Sequence, residues 1–233
     1  MKKRQKFVSL ITATAMMSTL PSAAYYIFID AEQFYSGEFT PRLSSPELEC
    51  GSDGLLYYFS YTISDEFSSS LVSSMETNIE TWNSDTYCIS IDRTTSYGSS
   101  LCDFRTYSGS EVDDYDVKSL LGYTLLYFGD GAYAGENTGY YDPADMPLYD
   151  DYHIVEIYLN TEQLNSSKLS TNLEKMLKIT ATHEMGHALG LGHITNNKYL
   201  MYQSYEDGTT PLSPLEDEQF AIYELYHNRI GDN

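Results

Sequence analysis

Positive charge is scarce in this chain. Lys and Arg number 13 against 34 Asp and Glu, a formal net charge of -21 over 233 residues. A surface this acidic repels a phosphate backbone and an anionic membrane leaflet, which excludes nucleic acid and membrane surfaces as natural partners. Cysteine is almost absent: Cys50, Cys88 and Cys102 are too few for a disulfide-dense scaffold, and an odd number leaves at least one outside any intramolecular bridge. Histidine occurs five times and tryptophan once. No internal repeat, low-complexity block or EF-hand loop is present. Beyond the first residues no apolar run is long enough to span a bilayer. What remains is a globular composition, 42% hydrophobic and 20% charged, with 23 tyrosines. Tyrosine has an apolar body and a polar tip and suits half-buried strands, so its abundance reads as architecture.

The first 24 residues carry the three parts of a secretory signal: Lys2, Lys3, Arg4 and Lys6, then an apolar stretch from Phe7 to Leu20, then Pro21-Ser22-Ala23-Ala24. Cleavage is expected near Ala24–Tyr25, with export to an oxidising, extracellular compartment. There Cys88 and Cys102, which flank a short turn-rich segment, are the preferred disulfide pair. Residues 25–53 lack periodicity and read as an N-terminal extension or short propeptide, and residues 54–233 as the functional domain.

Within that domain Leu55–Ile63 is aromatic and β-branched and reads as a strand. Phe67, Leu71, Met75, Ile79 and Trp82 recur at helical spacing, predicting a helix over 66–82. Further strands are expected over 87–91, 102–107, 120–128 and 154–159, separated by a Gly-, Asp- and Tyr-rich loop over 129–151. Residues 160–168 read as a connection, with a glycosylation acceptor at Asn165 if the source glycosylates. Thr171 and Glu174 have capping-box spacing before a helix running to Leu189. Ser213, Pro214 and Glu216 supply an N-cap, an N1 proline and an N3 carboxylate for a last helix through Tyr226. This order predicts an α+β domain, a mixed twisted sheet of about five strands with three main helices.

Residues 183–193 read HEMGHALGLGH. His183 and His187 are four apart on a predicted helix, so both imidazoles leave one face and can chelate zinc. Glu184 lies beside the metal position without having to ligate it, placed to take a proton from an activated water. Gly190, three residues after His187, permits the left-handed turn that brings His193 back as a third ligand. Three protein ligands leave a fourth position open, the arrangement of a catalytic site; a closed structural site would want a fourth protein ligand and no neighbouring base.

The extended motif resembles that of the metzincin metallopeptidases, in which a Met-turn follows. Met201 lies eight residues after His193, in YLMYQSY, and that distance and the Met-Tyr pair resemble the matrixin branch. The tail over 212–226 and the ETWN string at 80–83 are similar to matrixin segments. The resemblance implies a zincin-type fold, with Met201 as a hydrophobic floor beneath one catalytic zinc. It also implies a substrate strand added along 120–128, with 202–206 walling the pocket. Two positions depart from the pattern: Ile194 stands where vertebrate matrixins usually have Ser, and Gln203 replaces the usual Pro. Gln203 also excludes the tyrosine arrangement of astacins and serralysins. Cys50-Gly51 only faintly echoes a cysteine switch. Only His153 lies between 55 and 182, which implies no second, structural zinc. Calcium is a possible cofactor, through Asp113, Asp114 and Asp116 or Asp142, Asp145, Asp150 and Asp151; a solvated acidic surface is the competing reading.

The function expected is that of a secreted, monomeric zinc endopeptidase acting on protein or peptide substrates, with Glu184 as general base. Two readings compete: a non-catalytic binding module on the same fold, against which the intact Glu184 argues, and a protease that cuts mainly its own N-terminal segment.

Overall fold

A computed structural model of the chain describes residues 47–51, 54–84, 87, 89–95, 100, 102–108, 120–127, 133–136, 154–164, 173–202 and 209–227. The signal segment, Cys88, the two aspartate clusters, His153, Asn165, Thr171 and residues 203–206 lie outside them. Among the described residues no helix is long and apolar enough to cross a membrane.

Seven strands form one mixed sheet: β1 (Glu47–Gly51), β2 (Gly54–Ile63), β3 (Ile89–Arg93), β4 (Cys102–Tyr107), β5 (Gly122–Tyr127), β6 (Tyr133–Glu136) and β7 (Ile154–Asn160). The five expected strands are all present. β1 arises in the stretch read as an extension and β6 in the stretch read as loop. β2 pairs with three neighbours. The β3 register on Tyr57–Tyr61 overlaps both that of β1 on Gly54–Tyr58 and that of β4 on Tyr61–Ile63. A strand has two edges, so β3 takes one, and β1 and β4 share the other end to end. Beyond β4 come β7, β5 and β6, with β5 antiparallel to both its neighbours.

That topology overturns the preferred disulfide. Cys102 is a free, buried thiol. Ile89, at the start of β3, pairs with Tyr57, whereas Cys102 pairs with Tyr61 on the other edge of β2. Two strand spacings, about 10 Å, separate β3 from β4, and Cys88 itself lies outside the described residues. Sequence nearness misleads here because the chain crosses over β2.

One face of the sheet is apolar at alternate positions: Phe59, Tyr61 and Ile63 on β2, Ile89 and Ile91 on β3, Cys102 and Phe104 on β4, and Val155, Ile157 and Leu159 on β7 are all buried. Against it pack α1 (Ser69–Ile79) and α3 (Leu173–Ala188), which also contact each other. Between them in sequence, a single helical turn, α2 (Thr161–Leu164), follows β7. Val72, Met75 and Ile79 give α1 its buried stripe. The chain then tightens into a 3-10 turn, Glu80–Trp82, that drives Trp82 into the core. The indole N–H donates to Thr182 O at 2.9 Å, tying this turn to the middle of α3.

The last helix, α4 (Glu216–His227), starts later than its sequence suggests. Leu215 is the cap residue and the capping carboxylate is Glu218, whose Oε2 accepts the Leu215 N–H at 2.8 Å. Glu174, the expected carboxylate of the other capping box, accepts from Ser74 and pairs with Lys178 at 2.9 Å, while its expected partner Thr171 lies outside the described residues.

Candidate metal centre

α3 carries His183, Glu184 and His187 on its last turns, so the helical repeat sends both imidazoles out on one side. The helix then ends in a Schellman motif. The Gly190 N–H donates to His187 O and the Leu191 N–H to Gly186 O, both at 3.0 Å. Gly190 has φ of 100°, a backbone conformation that costs any residue with a Cβ. The reversal delivers His193 back onto the face that His183 and His187 occupy.

The three rings converge through their Nε2 atoms. His193 Nε2 lies 3.3 Å from His183 Nε2 and 3.1 Å from His187 Nε2. Each helix histidine has its Nδ1 against a backbone carbonyl: His183 on Leu200 O at 2.7 Å and His187 on Leu191 O at 2.8 Å. A carbonyl only accepts, so Nδ1 carries the proton and Nε2 presents its lone pair to the centre. Lone pairs aimed at one another across 3.1–3.3 Å want a cation between them. Tetrahedral zinc with bonds of 2.0–2.1 Å would set its nitrogens about 3.3 Å apart. Burial pushes both histidines below their ordinary value, His187 much the further because the other two rings add repulsion; the carbonyl bonds oppose this. Neutral imidazoles are the metal-binding form. Among the described residues no other group of three potential ligands converges.

Glu184, next to His183 on α3, is buried, and burial lifts its carboxyl from 4.5 to about 7, against a partly compensating hydrogen bond from Thr124. That bond, from Thr124 Oγ1 to Oε2 at 2.7 Å, crosses from β5 to α3. Sequence reading missed Thr124 because nothing in the motif points to a residue 60 positions upstream.

Met201 is fully buried in the turn that precedes α4. Ile194 N–H donates to Met201 O at 3.0 Å, closing the loop that begins at His193. The turn reaches the centre twice. Leu200 O orients the His183 ring, and Met201 rests on Gly186, where an added Cβ would stand 2.3 Å from the Met201 sulfur and 2.9 Å from Trp82. Glu218 fixes the turn from the other side: its Oε1 accepts the Met201 N–H at 2.8 Å. Glu218 was also missed, since on sequence it is one acid in an acidic helix start.

The family model of the matrixins, peptidase family M10, matches residues 67–227, more than half of the chain. The chain belongs to the matrixin family. This matrixin is 31% identical over 123 residues to Metalloendoproteinase 1-MMP of Arabidopsis thaliana, an alignment that covers 51% of the chain. It spans 33% of the length of that relative. Among solved structures it resembles High choriolytic enzyme 1, a hatching enzyme zinc-protease from Oryzias latipes, with 14% identity and a TM-score of 0.42, covering 79% of this chain and 96% of that one.

One expectation about the substrate strand needs correction. Segment 120–128 is not an open edge along its length, because β6 pairs with Leu125–Tyr127 of β5. Among the described residues no strand pairs with that edge over the first half of β5, the half that faces Glu184.

Proposed function

We propose that this matrixin is a secreted zinc endopeptidase, with residues 1–24 as its export signal and Glu184 as its general base. The observation that carries the reading is the convergence of three Nε2 lone pairs beside a buried carboxylate. His183, His187 and His193 hold the metal through Nε2, and the Leu200 and Leu191 carbonyls keep two of those rings in the ligating tautomer. Bound zinc supplies a Lewis acid that polarises the scissile carbonyl and the attacking water. Glu184 takes the proton of that water on Oε1, the oxygen not engaged by Thr124, and passes it to the leaving amine nitrogen. Its raised affinity for protons suits both halves of that transfer at neutral pH. The peptide lies extended along residues 122–124 of β5, by strand addition. Met201 floors the site. The acidic composition favours basic or neutral peptides over acidic ones.

The test is zinc stoichiometry together with cleavage of a mixed peptide library, on residues 25–233 and its Glu184→Ala variant. One zinc per chain in both is expected, with cleavage lost by several orders of magnitude in the variant and abolished in the parent by a chelator. Undiminished cleavage by Glu184→Ala would reject the assignment of the base. Full zinc with no cleavage by either protein would favour a binding role.

A further inference from the structure

We propose that Thr124 is a positioning residue for the reaction, holding the Glu184 carboxylate in one orientation through its hydroxyl. The inference rests on Glu184 being the general base.

Four observations carry it. First, Thr124 lies on the buried face of β5, 1% exposed, paired in register with Ile157 and beside a strand whose inward residues are Val155, Ile157 and Leu159. A valine would fill that place with the same shape, so packing does not call for an oxygen there. Second, the hydroxyl reaches Glu184 Oε2 at 2.7 Å and lies 3.2 Å from the Glu184 carbonyl oxygen, so it acts on one residue of α3 only. Third, β5 is hollowed for the same carboxylate two residues earlier. A Cβ on Gly122 would come within 3.1 Å of both Glu184 Cγ and Oε1 and within 2.8 Å of the Thr180 methyl. Gly122 and Thr124 share a strand face, one making room and the other making a bond. Fourth, a glutamate has three side-chain torsions, and nothing in the zinc-binding motif itself sets them. Nucleophile activation demands that the proton-accepting oxygen stay within hydrogen-bond reach of the water, about 2.6–3.2 Å.

The consequence is a division of labour between the two oxygens. Thr124 occupies Oε2, and Oε1 faces the side of β5 that Gly122 leaves open. Without the hydroxyl the carboxylate keeps its burial and loses its donor, and it turns towards any other polar partner. Displacement of a catalytic group by about 1 Å costs on the order of 100-fold in rate. Because replacing the hydroxyl leaves the strand backbone that would pair with the peptide in place, the loss should fall on kcat and leave KM alone.

The experiment compares the zinc-loaded parent with Thr124→Val, Thr124→Ser and Glu184→Ala, on the best-cleaved peptide of the mixed library. Zinc affinity is measured by competition with a chromogenic chelator, and thermal midpoints are recorded alongside. Thr124→Val is expected to lose about 10- to 100-fold in kcat with KM and zinc affinity unchanged. Thr124→Ser, which keeps the hydroxyl, should recover most of that loss. Thr124→Val within two-fold of the parent, while Glu184→Ala is inactive, overturns the inference and leaves the functional reading intact. Equal losses in the Val and Ser variants, tracking a fall in thermal midpoint, overturn it by assigning Thr124 to packing. Full activity in Glu184→Ala overturns the functional reading and this inference with it.

Discussion

Replacing Glu218 by glutamine should cost stability in acid and lose most or all of that cost as pH rises to 8. Glu218 is fully buried, and its two oxygens accept the Met201 and Leu215 N–H groups at 2.8 Å each. Burial nevertheless dominates, aided by the negative charge of Asp217, and the carboxyl rises from 4.5 to about 7 despite those bonds. Between those two values the folded protein holds a proton that the unfolded chain has released. Stability contributed by this group is therefore complete below pH 4.5 and lost as pH rises towards 7. At about 1.36 kcal/mol per pH unit the whole window is worth about 3 kcal/mol, of which about 2.5 falls between pH 5 and 8. Glutamine offers one acceptor oxygen in place of two, leaving one buried N–H facing an amide N–H, a cost of about 1–3 kcal/mol that does not vary with pH. Urea melts of the zinc-free parent and Glu218→Gln at pH 5, 6, 7 and 8 separate the two terms. His183, His187 and Glu184 titrate in both proteins, so their contributions cancel in the difference. The variant should be the less stable protein at pH 5 and should gain on the parent by about 2.5 kcal/mol by pH 8. Parallel stability curves for the two proteins would refute the reasoning, because they would mean that Glu218 binds protons no more tightly folded than unfolded.

Two further outcomes follow from the packing. Gly186→Ala drives a Cβ into Met201 and Trp82, and such overpacking typically costs about 1–3 kcal/mol; a thermal midpoint within a degree of the parent's would show that the Met201 turn yields freely. Cys102 is free, and burial pushes its thiol well above the ordinary value, so iodoacetamide should label it only in denaturant. Mass spectrometry showing native labelling within minutes, or a Cys88–Cys102 disulfide peptide, would contradict the free, buried state of Cys102.

The family and the gathering of three histidines that could hold a metal were legible in the chain because they depend on short-range geometry. A spacing of four residues on a helix puts His183 and His187 on one face whatever the rest of the molecule does. Gly190 allows the turn that returns His193, since only glycine enters φ of 100° without strain. Five strands and three main helices were likewise written in residue periodicity. Pairing between strands was not. β1 and β6 are only five and four residues long, too short for a pattern to stand out, and hydrogen bonds to β2 and β5 define them. The separation of Ile89 from Cys102 follows from which edge of β2 each strand takes. The capping carboxylate of α4 also escaped, because Glu216, Asp217 and Glu218 are chemically alike in sequence and only the approach of Met201 selects the third.

Sequence alone thus determined that three histidines able to hold a metal fall together with Glu184, since all four lie within 11 positions of one another. Tertiary structure decided how those groups are held. The carbonyls of Leu200 and Leu191 choose the histidine tautomers, Met201 presses on the ligand helix, and Thr124 and Gly122 of β5 seat the carboxylate of Glu184. These supports come from loops and from a strand about 60 residues away. A buried polar atom takes whatever donor or acceptor folding brings within about 3 Å, and no local pattern records which one that will be.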